Sequence, residues 1–220
     1  MDDQSPKLEW QNDVPVSSRF DDPYFSFADG LAETRHVFLH GNMLPERFKD
    51  GFRIAELGFG TGLNALAALQ AWRVAGAEGT LYFTSFELFP MAQADMERAL
   101  VVYPELAELA GEVFSAFDGT QAALPDFLLD VVLGDARETL PTWTGAADAW
   151  FLDGFSPAKN PELWEEELLV EVARHTRAAG TAATYSAAGA VRRGLEAAGF
   201  VVERRPGYGR KRHMTAARLA

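Results

Sequence analysis

The sequence of 220 residues contains no cysteine, which excludes disulfide bridges, thiolate metal sites and cysteine nucleophiles. It also lacks any apolar run near the roughly 20 residues that a helix needs to cross a bilayer. The first 16 residues are acidic and polar, which is not the pattern of a secretory signal. We therefore expect a cytoplasmic protein that does not engage a membrane.

Basic residues are also scarce: 20 Lys and Arg stand against 32 Asp and Glu, a net charge of −12. This deficit disfavours a generic nucleic-acid binder, because phosphate contacts need basic side chains. The charge is uneven, however, since residues 192–220 carry a net charge of +6 and the rest of the chain carries −18. Residues 204–213 interleave basic side chains with Tyr208 and glycine, which suits a nucleic-acid strand. A solvated turn is the alternative interpretation.

Short apolar runs alternate with helical spacing from residue 52 onward. Strands are predicted over residues 52–57, 81–87, 128–133, 149–152, 181–185, 200–203 and 214–218. The alternation predicts an α/β fold in which helices cover both faces of a mainly parallel sheet. Residues 51–220 are interpreted as this domain. Residues 1–50 are interpreted as an N-terminal extension that packs on the core, with a strand at Arg35–Leu39 and a short helix near Pro45–Phe48.

A glycine-rich loop follows the first of these strands, with Glu56 before Gly58, Gly60 and Gly62. The dinucleotide fingerprint would place glycine where Leu63 stands, and the Lys-Ser/Thr pair of a phosphate-binding loop is missing. The acid and the Gly-x-Gly-x-Gly spacing resemble the first motif of class I S-adenosylmethionine (SAM) methyltransferases. That resemblance implies a Rossmann-like, doubly wound sheet of seven strands. A tight strand-to-helix turn without a ligand is the alternative.

Two further acids end predicted strands. Glu87 could accept hydrogen bonds from both hydroxyls of a ribose, or it could be a solvated carboxylate. Asp135, between Gly134 and Ala136, could accept the exocyclic amine of adenine, with Ala136 offering a backbone N–H. Asp135 could also cap the helix that follows, and these two roles are compatible.

A fourth loop begins at Asp153, where an apolar strand gives way to glycine, Phe155 and two prolines. Methyl transfer to nitrogen needs a neutral amine. A carboxylate at Asp153 could accept its N–H, orient its lone pair and take up positive charge as it forms. The alternative is a structural aspartate that binds N–H groups of its own loop.

Together these motifs resemble the methyltransferase domain of the MnmC family, including its stand-alone form MnmD. The resemblance rests on residues 12–35, 58–64, 85–90, 150–161 and 207–214. It implies a SAM-dependent tRNA methyltransferase that converts 5-aminomethyl-(2-thio)uridine at the wobble position to 5-methylaminomethyl-(2-thio)uridine. The implied partners are the anticodon stem-loop of tRNA and a fused or separate FAD-dependent oxidase, with no FAD expected in this chain.

The motifs and the resemblance together define the expected site, which contains no metal. Asp153 is expected to be catalytic and to lie beside the cofactor. The residues expected to bind the cofactor are Glu56, Gly58, Phe59, Gly60, Thr61, Gly62, Asn64, Glu87, Leu88, Gly134, Asp135, Ala136 and Asp153. Those expected to contact tRNA are Phe155, Pro157, Lys159, Tyr185, Tyr208, Arg210, Lys211 and Arg212. Two alternative functions stay open: an aminopropyltransferase-like enzyme acting on a small amine, and a non-catalytic tRNA-binding module.

Overall fold

A computed structural model describes residues 5–220 of the chain. Its strands are β1 (Leu8–Gln11), β2 (Val14–Ser17), β3 (Asp22–Pro23), β4 (Arg53–Leu57), β5 (Leu81–Glu87), β6 (Gln121–Leu124), β7 (Phe127–Leu133), β8 (Ala147–Leu152), β9 (Thr176–Thr184), β10 (Phe200–Pro206) and β11 (His213–Leu219). Its α-helices are α1 (Gly30–Thr34), α2 (Leu63–Val74), α3 (Gln93–Leu100), α4 (Ala107–Ala116), α5 (Ala136–Thr139), α6 (Glu166–Arg174) and α7 (Gly189–Ala197).

The central sheet has eight strands in the order β10-β11-β9-β8-β4-β5-β7-β6. The five strands from β9 to β7 are mutually parallel, and β8 is buried along its whole length, as expected for a strand covered on both faces. β11 lies between β9 and β10 and is antiparallel to both. The predicted α/β class is confirmed. The predicted count of seven strands is one too low, because β6 forms an antiparallel hairpin with β7 at the sheet edge.

Two hydrophobic cores lie on opposite faces of the sheet, and alternate residues of β8 point into each. Phe151 belongs to the core beneath α2, α3 and α4, where its ring stacks on Phe38 at 5.3 Å. Trp150 belongs to the core beneath α5, α6 and α7, where it stacks on Phe86 at 6.2 Å. This alternation fixes the register of β8, because a slip of one residue would exchange the two faces.

The segment before β4 differs from two local predictions. Residues Arg35–Leu39 form a π-helical turn that continues α1, not a strand. Asp29 caps α1 by accepting from the N–H of Ala32 at 2.9 Å, so the chain enters this region as a helix and buries its apolar run against the core. Residues Pro45–Phe48 form a turn rather than a short helix, with one bond from the N–H of Phe48 to the carbonyl of Pro45.

Nearer the N-terminus, strands β1, β2 and β3 form a small antiparallel sheet. The first four residues of the interpreted extension lie outside the described residues. Within residues 5–220 no helix is both long enough and apolar enough to cross a membrane.

Candidate functional site

The carboxyl ends of β4, β5, β7 and β8 open onto a cavity of about 880 Å³, which is where parallel sheets usually bind ligands. The residues predicted for the site that line this cavity are Gly58, Phe59, Gly60, Thr61, Asn64, Glu87, Leu88, Gly134, Asp135, Ala136, Asp153, Phe155, Tyr185, Tyr208, Arg210 and Lys211. Five predicted residues are not part of the lining: Glu56, Gly62, Pro157, Lys159 and Arg212. The four strand-end motifs are therefore brought together around one space.

The glycine loop after β4 packs directly against the loop after β8. Gly58 has a φ of +90°, which favours glycine, and a Cβ built there would overlap the backbone oxygen of Asp153. The N–H of Asp153 donates to the carbonyl of Leu57 at 3.1 Å, which ties the two loops together. Only glycine fits this close approach, so the loop geometry and the position of Asp153 depend on each other.

Glu87 is held in place by two backbone donors. Its Oε2 accepts from the N–H of Gly60 at 3.0 Å, and its Oε1 accepts from the N–H of Phe89 at 2.7 Å. Burial raises the pKa of Glu87, and the backbone N–H groups act in the opposite direction. Glu87 also lines the cavity, where its carboxylate is a suitable acceptor for hydroxyl groups of a ligand.

Asp135 caps α5, as one of its two interpretations predicts. Its Oδ1 accepts from the N–H of Arg137 at 2.9 Å, and its Oδ2 forms an ion pair of 2.6 Å with the guanidinium of the same residue. The hydrogen bonds from Arg137 hold the pKa of Asp135 below its ordinary value. Arg137 also lines the cavity and was not singled out in the sequence.

Asp153 lies at the centre of a buried hydrogen-bond network. Its Oδ2 accepts from the side-chain amide of Asn64 at 2.7 Å, and the same nitrogen donates to Oε1 of Glu56 at 2.7 Å. Burial raises the pKa of Asp153 to about 7, and the hydrogen bond from Asn64 acts in the opposite direction. Glu56 has no exposed surface, and burial followed by the charge of Asp153 raises its pKa well above the ordinary value. Glu56 therefore lies behind the cavity wall, where it contacts the site through the amide of Asn64.

An aromatic group stands beside Asp153. The ring of Phe155 stacks on Phe20 with centroids 4.7 Å apart and meets the edge of Tyr24 at 5.1 Å. Phe89 contacts Phe20 at 5.9 Å, and all four rings line the cavity. Sequence reasoning missed Phe20 and Tyr24 as site residues, although both lie in the segment that carries the family resemblance.

The Asp153 loop is fastened to the N-terminal segment by polar contacts. The N–H of Ser156 donates to Oδ2 of Asp22 at 2.9 Å. The ammonium group of Lys159 pairs with Oδ1 of Asp22 at 3.3 Å and also donates to the backbone oxygen of Asp21. These contacts give Lys159 a structural role at this junction.

The loop between β10 and β11 folds over the other side of the cavity. Lys211 forms an ion pair of 2.8 Å with Glu33, and its ammonium lies 4.0 Å from the centroid of the Tyr185 ring. The hydroxyl of Tyr185 donates to the carbonyl of Gly154 at 2.6 Å, next to Asp153. The ring of Tyr208, in the same loop, lies 5.9 Å from that of His36. The basic end of the chain is thus part of the cavity wall.

The chemistry of these groups suits a nucleoside ligand without a phosphate. The glycine loop carries no basic side chain, and the carboxylate of Glu87 that it holds would repel a phosphate while accepting ribose hydroxyls. Across residues 5–220 no three acidic or histidine side chains are grouped so as to hold a metal ion.

Comparison with known proteins agrees with this assessment. A family model described as S-adenosyl-L-methionine-dependent methyltransferase matches residues 105–220. The MnmC bifunctional protein of tRNA 5-methylaminomethyl-2-thiouridine biosynthesis from Caulobacter sp. (strain K31) is 48% identical over 93% of this chain. The protein of the same name from Pseudomonas aeruginosa PAO1 is 49% identical over 97% of the chain. The chain spans 37% and 35% of the lengths of these two relatives.

A solved structure also matches. The crystal structure of MNMC2 from Aquifex aeolicus superposes with a TM-score of 0.78 at 29% identity, over 98% of this chain and 70% of the other. This confirms the class I methyltransferase fold and, with the family model, SAM as the cofactor. The chain therefore belongs to the S-adenosyl-L-methionine-dependent methyltransferases, within the group whose curated relatives are MnmC proteins.

Proposed function

We propose that this chain transfers a methyl group from SAM to the primary amine of 5-aminomethyl-(2-thio)uridine at the wobble position of tRNA. The names of these relatives, which assign them to tRNA 5-methylaminomethyl-2-thiouridine biosynthesis, support this substrate. The observation that carries the chemistry is the carboxylate of Asp153, which borders the cavity beside the glycine loop and has a pKa raised by burial to about 7.

The proposed mechanism gives Asp153 two tasks. SAM, when bound, supplies a methyl group on a positively charged sulfur, which keeps the electron pair of the broken C–S bond. A free Oδ lone pair of Asp153 accepts an N–H of the substrate amine and so directs the nitrogen lone pair into the cavity. Asp153 then takes the proton that the methylated nitrogen loses and releases it to solvent. A carboxyl with a pKa of about 7 can both accept and release a proton near neutral pH.

The aromatic group offers a place for the modified base. Enzymes that act on a base in a folded nucleic acid extrude it into a pocket and stack it against flat side chains. Phe20, Tyr24 and Phe155 line the cavity next to Asp153, so a uracil ring stacked there would bring its 5-substituent near the carboxylate. The cavity of about 880 Å³ has room for a cofactor and a nucleoside together.

The basic loop offers a place for the tRNA backbone. Arg210 and Lys211 line the cavity, and Arg212 is exposed beside them. We propose that this loop contacts phosphates of the anticodon stem-loop, while the acidic remainder of the chain discourages other contacts with nucleic acid.

A direct test is to incubate the protein with methyl-labelled SAM and tRNA that carries 5-aminomethyl-2-thiouridine, and to analyse the nucleosides by mass spectrometry. The expected product is 5-methylaminomethyl-2-thiouridine. Unmodified transcripts of the same tRNA are the control. Normal SAM binding without transfer would reject the substrate assignment. Transfer of an aminopropyl group from decarboxylated SAM to a small amine would favour the aminopropyltransferase alternative, and tRNA binding without turnover would favour a binding module.

A further inference from the structure

Asn64, the second residue of α2, has no side-chain donor left for a ligand. It is 5% exposed, and its Nδ2 donates to Glu56 and to Asp153, each at 2.7 Å. Its Oδ1 accepts from the hydroxyl of Thr34 at 2.8 Å. A primary amide has two N–H groups, and both are used here. Asn64 therefore has no free N–H with which to bind the cofactor, although its position in the motif alone suggests that role.

The orientation of this amide is fixed by its neighbours. If the amide were rotated by half a turn, its oxygen would face the carboxylates of Glu56 and Asp153, and its NH₂ would face Thr34. The two carboxylate oxygens, which accept hydrogen bonds when ionised, therefore select one orientation, and the hydroxyl of Thr34 completes it by donating to the amide oxygen. In that orientation one N–H points at Oδ2 of Asp153 and holds the carboxylate in place.

We propose that Asn64 is a positioning residue that holds the carboxylate of Asp153 in its working orientation, with Thr34 and Glu56 fixing the amide that does so. The proposal rests on the proposed role of Asp153 in methyl transfer. It also assigns a task to α1, since Thr34 ends that helix and lies 30 positions from Asn64 in the sequence.

The groups around Asp153 set the expected change in its ionisation. Those that face it are Glu56 of β4, Glu33 of α1, Lys211 of the loop after β10 and Tyr185 after β9. Burial raises the pKa of Asp153 first, and the charge of Glu33 acts in the same direction. The hydrogen bond from Asn64 and the charge of Lys211 lower it. Loss of the Asn64 donor therefore moves the ionisation of Asp153 to higher pH.

The test compares Asn64→Leu and Thr34→Val with Thr176→Val as a matched control. Thr176 is 7% exposed at the start of β9, where its hydroxyl donates to the carbonyl of Val172, and it lies outside the cavity lining. The titration of Asp153 is followed by carboxyl ¹³C NMR in the protein with no substrate added, with Asp153→Asn used for assignment. Measured beside it are kcat against pH and the SAM dissociation constant by calorimetry.

We expect the Asp153 titration to move to higher pH in Asn64→Leu, less far in Thr34→Val, and not at all in Thr176→Val. The acidic limb of kcat should move with it. In Asn64→Leu, kcat should fall about 10- to 100-fold while the SAM dissociation constant changes by less than about threefold.

Two results would overturn the proposal. One is an unchanged Asp153 titration in folded Asn64→Leu, or in Thr34→Val if the leucine variant does not fold. The other is a loss of SAM affinity with kcat unchanged at saturating SAM, which would restore a cofactor-binding role to Asn64. The NMR titration needs no tRNA, so it stays informative if methyl transfer to tRNA is never observed.

Discussion

At the scale of single residues, the proposed role of Asp153 implies that its burial favours activity at the expense of stability. The carboxyl lies in surroundings that disfavour its charge, and a hydrogen bond from Asn64 opposes this only in part. Such strain in favour of function is common at enzyme sites. Removing the charge of Asp153 is therefore expected to lower activity and to raise stability.

The first prediction concerns activity. Asp153→Asn keeps the shape of the side chain but removes its negative charge and its capacity to take a proton. We expect kcat for methyl transfer to fall about 10²- to 10⁴-fold, with SAM affinity nearly unchanged. Single-turnover assays with labelled SAM measure the first quantity and calorimetry the second. Equal turnover in the variant would show that Asp153 has no chemical role.

The second prediction concerns stability. The carboxyl of Asp153 binds its proton more tightly in the folded state, with a pKa of about 7, than in the unfolded chain, where it is about 4. The contribution of this carboxyl to the free energy of unfolding is therefore greatest below about pH 4 and is lost as the pH rises from about 4 to about 7. At pH 8 we expect Asp153→Asn to raise the free energy of unfolding by about 1–3 kcal/mol, and at pH 4 to leave it unchanged. Urea unfolding at both pH values tests this, with Glu46→Gln at an exposed position as control.

The third prediction concerns the pH dependence of activity. Because Asp153 must be ionised to take the proton that the methylated nitrogen loses, kcat should rise as pH increases through about 7. Deprotonation of the substrate amine should extend the rise toward alkaline pH. Rapid-quench measurement of the chemical step separates these effects, and the limb near pH 7 should vanish in Asp153→Asn. A flat profile for the parent protein would contradict the assignment.

The sequence predicted that Asp153 lies at the ligand-binding edge of the sheet, and Asp153 does line the cavity, but the side chains that contact it could not be predicted. An aspartate at the end of an apolar strand is visible as a pattern, because strand ends in a parallel sheet share one edge. The amide of Asn64 reaches it across 89 positions, and Asp22 reaches Ser156 across 134. Contacts of this kind depend on side-chain directions in the folded chain, which no local pattern records.

At the scale of secondary-structure elements, the apolar runs of the sheet were predictable and the segment before it was not. Strand β5 was predicted with its observed limits, and the runs leading to β4, β7 and β8 were recognised because buried parallel strands are continuously apolar. Residues Arg35–Leu39 have the β-branched and aromatic content of a strand but continue a helix capped by Asp29. Tertiary burial and the cap outweighed local propensity there.

The fourth prediction belongs to the glycine loop. Gly58→Ala should lower the free energy of unfolding by about 2–4 kcal/mol and weaken SAM binding at least about tenfold, because the new Cβ forces the Asp153 loop away. Gly51→Ala is the matched control, since Gly51 also has a positive φ, +72°, but has open space around it. The control should cost only about 1 kcal/mol of backbone strain and spare SAM binding. Equal effects of the two changes would show that strain alone matters.

At the scale of the whole molecule, the uneven charge leads to the fifth prediction. If the basic loop contacts phosphates, tRNA affinity should fall steeply with salt, and Arg212→Glu should reduce the slope of log K against log salt by about 1. Arg174→Glu, at the end of α6 and outside the cavity lining, is the charge-matched control. Filter binding from about 50 to about 200 mM salt measures the slope for each variant, because phosphate contacts change affinity strongly over this range. Equal slopes in the parent and Arg212→Glu would refute phosphate contact by this residue.

The order of strands in the sheet also bears on how the protein is made. β11 leaves the ribosome after β10, yet it occupies the place between β9 and β10. The loop that carries Lys211 is anchored on one side by β11, so the cavity wall closes only after that strand has been synthesised and inserted. A nascent chain that stalls before β11 has β4, β5 and their ligand loop but lacks the completed wall. The complete cavity wall therefore forms only after β11 has emerged from the ribosome.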